Sequence, residues 1–102
     1  MSIKKRFLKN RPICKVTFSL TKEAADNAKS VHITGEFNNW EKPGIPMKSY
    51  KNGSFSITLD LEKNKDHQFR YLLDKQTWVN DEKADKHVPS GFAGSKNFVV
   101  SV

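Results

Sequence analysis

Hydrophobic and polar residues alternate at period two along several stretches of this chain. In residues 31–37 the apolar positions fall on one side and the polar positions on the other, which is typical of a half-buried β-strand. Residues 14–20 alternate in the same way, with Cys14 on the apolar side as a small hydrophobe. The remaining predicted strands occupy residues 47–50, 54–61, 68–73, 77–79 and 98–102.

Turn signals separate these stretches. Asn52-Gly53 predicts a hairpin with a type I′ turn, in which both central residues need positive φ. Residues 21–30 lack an apolar stripe and are predicted to form a polar connection, with about one helical turn capped by Thr21. About seven to eight short strands with turns between them indicate an antiparallel β-sandwich, and a small β-barrel is the alternative.

The positive charge is concentrated at the N-terminus. The formal net charge of the 102 residues is +7, but residues 1–15 contain six of the basic residues and no acid. The remainder is nearly neutral, so we divide the chain into a basic arm at 1–11 and one β-sandwich domain at 12–102. We interpret the arm as a solvated tail, within which Phe7 and Leu8 could pack on the domain.

Other features of the sequence predict where in the cell the protein is located. No apolar run is long enough to span a membrane, and the N-terminus lacks the apolar segment of a secretory signal. A single cysteine cannot form an internal disulfide, which favours a reducing cytoplasm. We therefore predict a cytoplasmic protein without a membrane partner.

Catalytic and metal-binding residues are not predicted. The only dense group of carboxylates is Asp81, Glu82 and Asp85, in a loop of a chain too short to build a cleft around them. The histidines are dispersed; His32 and His67 lie in strands and are predicted to face solvent. No phosphate loop or nucleophile–base pair is present, so we expect no enzyme activity, no metal and no cofactor.

Two tryptophans are the better candidates for function. Trp40 and Trp78 each lie at or beside a polar loop, where an aromatic face can stack on a sugar ring. Arg70, on the outward side of its strand, and Asn97, before the last strand, could hydrogen-bond sugar hydroxyls. The residues alone leave open whether each tryptophan is a platform or a structural aromatic, and Arg70 alone fits a solvated strand face.

The run from Gly35 to Trp40 resembles the G-x-F-N-x-W motif of carbohydrate-binding module family 48. This family includes glycogen-binding domains of AMP-activated protein kinase β subunits and early-set domains of isoamylases and glycogen-branching enzymes. Further similar segments follow in the family's order over residues 12–102. They are Met47-Lys48, Leu59-Asp60-Leu61, His67-Gln68-Phe69-Arg70-Tyr71, Asp74, Trp78, Asn80-Asp81, Ala84-Asp85, Val88-Pro89 and Asn97-Phe98-Val99-Val100.

The resemblance implies an immunoglobulin-like (early-set) sandwich that binds an α-1,4-glucan such as glycogen or starch. By position, Trp40 and Trp78 match the family's stacking tryptophans, and Arg70 and Asn97 match its hydroxyl-binding residues. Phe92 is the nearest match to a leucine that inserts into the glucan helix.

One departure from the family pattern concerns the turn before Trp78. Asp74-Lys75 replaces the family's usual Asp-Gly, so the direction of Trp78 depends on how this turn folds.

Two alternatives remain beside glucan binding. The first is a protein-interaction module associated with a glycan-metabolising enzyme, without sugar binding of its own. The second is a small nucleic-acid-binding barrel, against which the nearly neutral body of the chain argues. We therefore predict no nucleic-acid partner.

Overall fold

Ten short strands make up most of the described chain. The structure is a computed structural model, and it describes residues 2–79, 86–89 and 96–102. The strands within these residues are β1 (Ser2–Phe7), β2 (Ile13–Leu20), β3 (Val31–Gly35), β4 (Ile45–Pro46), β5 (Lys48–Ser49), β6 (Phe55–Glu62), β7 (Asp66–Leu73), β8 (Thr77–Val79), β9 (Lys86–Pro89) and β10 (Lys96–Ser101).

The strands form two antiparallel sheets. The first sheet has the order β1-β2-β6-β5, and the second has the order β4-β3-β7-β10-β9, with β8 added beside β7. On β7, Phe69 pairs with β3 on one edge and with β10 on the other, while Tyr71 pairs with β3 and with β8. This arrangement confirms the predicted all-β sandwich and is consistent with an immunoglobulin-like fold.

The core lies between the sheets and is built on three aromatic rings. Phe18 of β2 meets Phe69 of β7 edge-on, with ring centroids 5.1 Å apart, and Tyr71 lies 5.6 Å from Phe69. All three side chains are fully buried. Along β2 the buried and partly exposed positions alternate strictly, with Cys14 in the core, as the period-two pattern predicts.

The basic arm does not form a solvated tail, contrary to our interpretation. Residues 2–7 form β1, which pairs with β2 from Ser2↔Ser19 to Phe7↔Cys14. Ile3 packs against the core, whereas Phe7 remains 57% exposed. Backbone pairing with β2 holds the strand in place although most of its side chains are polar.

The β5–β6 hairpin also differs from the prediction. In this turn Gly53 has positive φ (87°) but Asn52 does not, so the turn is not type I′. Gly53 N–H donates to the Tyr50 carbonyl (3.0 Å) and Tyr50 N–H to the Ser54 carbonyl (2.9 Å). This is a three-residue loop with a glycine bulge, the next most common hairpin connection. Asn52 Oδ1 accepts a hydrogen bond from Ser54 N–H instead of setting the turn with its backbone.

The connection at residues 21–30 agrees with the prediction. Thr21 Oγ1 accepts a hydrogen bond from Ala24 N–H, and Ala25 N–H donates to the Thr21 carbonyl, which makes one helical turn. None of the described segments forms a helix that could span a membrane.

Candidate functional site

The loop that carries Trp40 is anchored on the last two residues of β3. Asn38 Oδ1 accepts a hydrogen bond from Gly35 N–H at 2.9 Å. The fully buried Thr34 hydroxyl lies 3.1 Å from Asn38 Oδ1 and 3.0 Å from the Glu41 carbonyl oxygen. Its single proton is shared between these two acceptors. Asn38, the asparagine of the Gly35–Trp40 motif, therefore stabilises the loop through these hydrogen bonds. The loop passes over the outer side of Thr34.

Trp40, two residues after Asn38, has a constrained backbone conformation. Residues 36–38 form one 3₁₀ turn, after which Asn39 and Trp40 both have φ of 56°. Trp40 N–H donates to the Gly35 carbonyl at 2.9 Å and closes the turn. A bulky residue at positive φ is unfavourable unless its surroundings hold it there, and such residues cluster at ligand sites.

The β7–β8 hairpin positions Trp78. Asp74 and Lys75 have φ of 49° and 60°, so this turn adopts the positive values that an Asp-Gly pair favours. Asp74 Oδ1 also accepts hydrogen bonds from Lys29 N–H (2.8 Å) and Ser30 N–H (3.0 Å). These bonds attach the hairpin to the connection at residues 21–30. As a result Trp78 pairs with Leu72, on the same side of the sheet as Arg70.

Lys75→Gly is expected to stabilise the domain by about 0.5–1 kcal/mol, because glycine adopts positive φ without the clash that a Cβ brings. Urea unfolding followed by tryptophan fluorescence measures the change. Lys51→Gly, in the other hairpin at a residue without positive φ, is the control and should destabilise slightly. A loss of stability in Lys75→Gly would contradict the turn geometry.

Two cations approach the ring of Trp78. The Arg70 guanidinium carbon lies 5.3 Å from the ring centroid, and the Lys42 Nζ lies 5.6 Å from it. Both distances are within the range of cation–π attraction. Partial burial lowers the pKa of Arg70 from its usual value, and Arg70 Nε is buried without a hydrogen-bond partner among the described residues. An arginine guanidinium is not deprotonated in proteins, so Arg70 is charged near neutral pH.

Asn97 lies beside the position of Arg70. It directly precedes Phe98, which pairs with Phe69, and its side chain is only 8% exposed. Asn97 Nδ2 donates to Gln68 Oε1 at 3.1 Å, and Gln68 N–H donates to Glu36 Oε1 at 2.7 Å. These hydrogen bonds link β10 and β7 to the loop that carries Trp40. The outer surface that these elements share is therefore held in place without a ligand.

The structure thus brings several predicted site residues together on the outer side of the second sheet. Arg70 contacts Trp78, and Asn97 is adjacent on β10. Trp40 lies on the same loop as Lys42, which reaches Trp78. Within the part of the chain that the structure describes, rings pair only in the core, so the two tryptophans do not stack on each other. Phe92 lies outside the described residues, as do Asp81, Glu82 and Asp85.

Lys42 was not a predicted site residue. It follows the motif by two positions in a polar segment with no periodic pattern, and only the path of the loop brings it over Trp78. The one available signal was a lysine close to a candidate stacking residue.

The histidine prediction is wrong for two positions. His32 and His67 are 8% and 6% exposed. The His67 Nε2 atom lies 3.1 Å from the Glu62 carbonyl, which gives the ring a structural partner. Burial, and secondarily the charge of Lys75, lower the pKa of His32. Among the described residues no group of three or more potential metal ligands is found.

Comparison with known proteins gives one family. A family model described as the glycogen recognition site of AMP-activated protein kinase matches residues 19–102. The 5′-AMP-activated protein kinase subunit beta-1 of Sus scrofa is 34% identical over 74 residues, which cover 72% of this chain and 55% of that protein. The beta-1 subunits of Bos taurus (34%) and Rattus norvegicus (31%) match over the same length. The match covers a quarter of each of those two chains.

Proposed function

Because this chain belongs to the family of the glycogen recognition site of AMP-activated protein kinase, we propose that it is a non-catalytic module binding α-1,4-glucans. The ligands would be glycogen, starch or maltooligosaccharides. The observation that carries the proposal is the half-buried Trp78 beside Arg70, on the sheet face that also holds Asn97. We assign binding to residues 12–102 and a cytoplasmic setting, in keeping with the buried, unpaired Cys14.

The proposed roles follow from the chemistry of each side chain. Trp40 and Trp78 offer aromatic faces to sugar rings, and stacking of this kind contributes on the order of 1–3 kcal/mol per ring. Arg70 and Asn97 supply donors for sugar hydroxyls, and Phe92 is proposed as a further contact. The constrained backbone of Trp40 supports a binding role, since strain at a bulky residue is retained where it positions a side chain.

We expect this chain to be retarded by glycogen in native gels and to bind maltoheptaose with Kd between micromolar and millimolar. The platform is shallow, so little area is buried and the sugar hydroxyls must be desolvated. Calorimetry with maltoheptaose or β-cyclodextrin measures the affinity. Trp40→Ala and Trp78→Ala should each weaken it about tenfold.

Tyr50→Ala is the matched control for these variants. Tyr50 is an aromatic residue that is 45% exposed, but it follows β5 of the first sheet and is not part of the proposed platform. Its truncation should leave the affinity for maltoheptaose unchanged. No retardation of the unmodified chain, or equal losses in the tryptophan and Tyr50 variants, would overturn the proposal.

A protein-interaction module is the second candidate, and β1 favours it. Residues 2–7 precede the family match at 19–102, and they add an edge strand with an exposed Phe7. An edge strand offers backbone groups to a partner. Co-purification of a glycan-metabolising enzyme without glucan, together with no maltoheptaose binding, would favour this function over the first.

A further inference from the structure

Two positive charges converge on one ring of the proposed platform. The Lys42 Nζ and the Arg70 guanidinium carbon lie 5.6 Å and 5.3 Å from the Trp78 centroid, although they come from different elements. No acidic side chain in the described ranges forms an ion pair with either cation. Two positive charges therefore lie at the ring of Trp78 with no acidic partner among the described residues.

The donors of this pair are not used up within the described residues. Arg70 Nε is buried and has no hydrogen-bond partner in residues 2–79, 86–89 and 96–102. Burial also lowers the pKa of Arg70, whereas an acidic neighbour would raise it. The hydroxyls of a neutral sugar need hydrogen-bond donors but no net charge, so two cations without an acidic partner in the described ranges exceed what such a ligand requires.

We propose that this site prefers α-glucans that carry a phosphate monoester, with the phosphate held between Lys42 and Arg70 while the sugar stacks on Trp78. The inference rests on the proposed function. The phosphate oxygens accept charge-assisted hydrogen bonds from both cations, and the planar guanidinium fork suits two of these oxygens at once. The ammonium group of Lys42, on its flexible stem, moves from the ring to the phosphate and frees ring surface for the sugar.

The test compares four probes by calorimetry with the full chain. They are maltoheptaose, maltoheptaose with one 6-phosphate, glucose 6-phosphate and inorganic phosphate. We expect the phosphorylated maltoheptaose to bind about tenfold more tightly than maltoheptaose at about 20 mM salt, and the ratio to fall at about 300 mM salt. Glucose 6-phosphate and inorganic phosphate should bind far more weakly, because they lack the stacked glucan.

Lys42→Met is the diagnostic variant, because it keeps an unbranched side chain and removes the charge. Its affinity ratio between phosphorylated and neutral maltoheptaose should fall to near one. Lys51→Met removes the same charge from an exposed residue of the β5–β6 connection and should keep the ratio of the unmodified chain.

The outcomes separate this inference from the function on which it rests. Equal affinity for both heptaoses would overturn the phosphate preference and leave glucan binding intact. Binding of neither heptaose would overturn the proposed function as well. Inorganic phosphate competing as strongly as the phosphorylated glucan would also overturn the inference, because the site would then be a simple anion site.

Discussion

Gly35→Ala is expected to destabilise the domain by about 3 kcal/mol, a large part of the stability of a domain of this size. A Cβ on Gly35 would lie 2.2 Å from the Gln68 carbonyl oxygen and 3.0 Å from the Cα of Phe69. Both atoms belong to the backbone of β7, which cannot rotate away as a side chain can. The φ of Gly35 is −177°, so the cost comes from this close approach and not from backbone strain.

Urea unfolding of Gly35→Ala against Gly53→Ala measures this effect. The nearest atoms to a Cβ on Gly53 belong to the flexible side chain of Lys22, so its cost of about 1 kcal/mol comes mainly from positive φ. The Gly35 variant should also bind maltoheptaose more weakly, because its carbonyl and N–H hold Trp40 and Asn38. A Gly35 variant as stable as the Gly53 variant would contradict the packing of β3 on β7.

The fold could be predicted largely because several of its strands have one buried face, whereas β3, predicted to be half-buried, is buried at all five positions. In β2 and in the core-facing positions of β7, alternation with period two reports burial directly. The strand β1 could not be found in this way. Its stability depends on backbone pairing with β2, and its alternation is masked by lysines and by an apolar residue, Phe7, that stays exposed.

Candidate site residues could be named from the sequence where the side chain itself carries the chemistry, but not where the path of a loop decides which side chains meet. Trp78 and Arg70 were named for their side chains, and only the structure shows that they are in contact. The burial of His32 was missed because the outer face of a sandwich sheet is normally solvated, whereas His32 here is only 8% exposed. Lys42 was missed for the related reason that its position depends on the loop crossing β3 at Thr34.

Asn38→Ala is expected to lower the stability of the domain by about 2 kcal/mol and the affinity for maltoheptaose by about fivefold. Removal of Asn38 Oδ1 leaves the Gly35 N–H without its acceptor, at a residue that is buried. The loop that carries Trp40 then has to be ordered when the sugar binds, and this ordering reduces the net binding free energy by about 1 kcal/mol. The effect on binding thus comes from positioning, since Asn38 supports Trp40 and is not assigned a contact with the sugar.

Asn38→Asp distinguishes support from contact. Aspartate keeps an oxygen at the same position and can accept the hydrogen bonds from Gly35 N–H and the Thr34 hydroxyl, so stability and maltoheptaose affinity should stay near those of the unmodified chain. Urea unfolding and calorimetry on both variants measure the two quantities together. If Asn38→Ala kept full stability but lost glucan binding, and Asn38→Asp lost binding too, Asn38 would have to contact the sugar through its amide nitrogen.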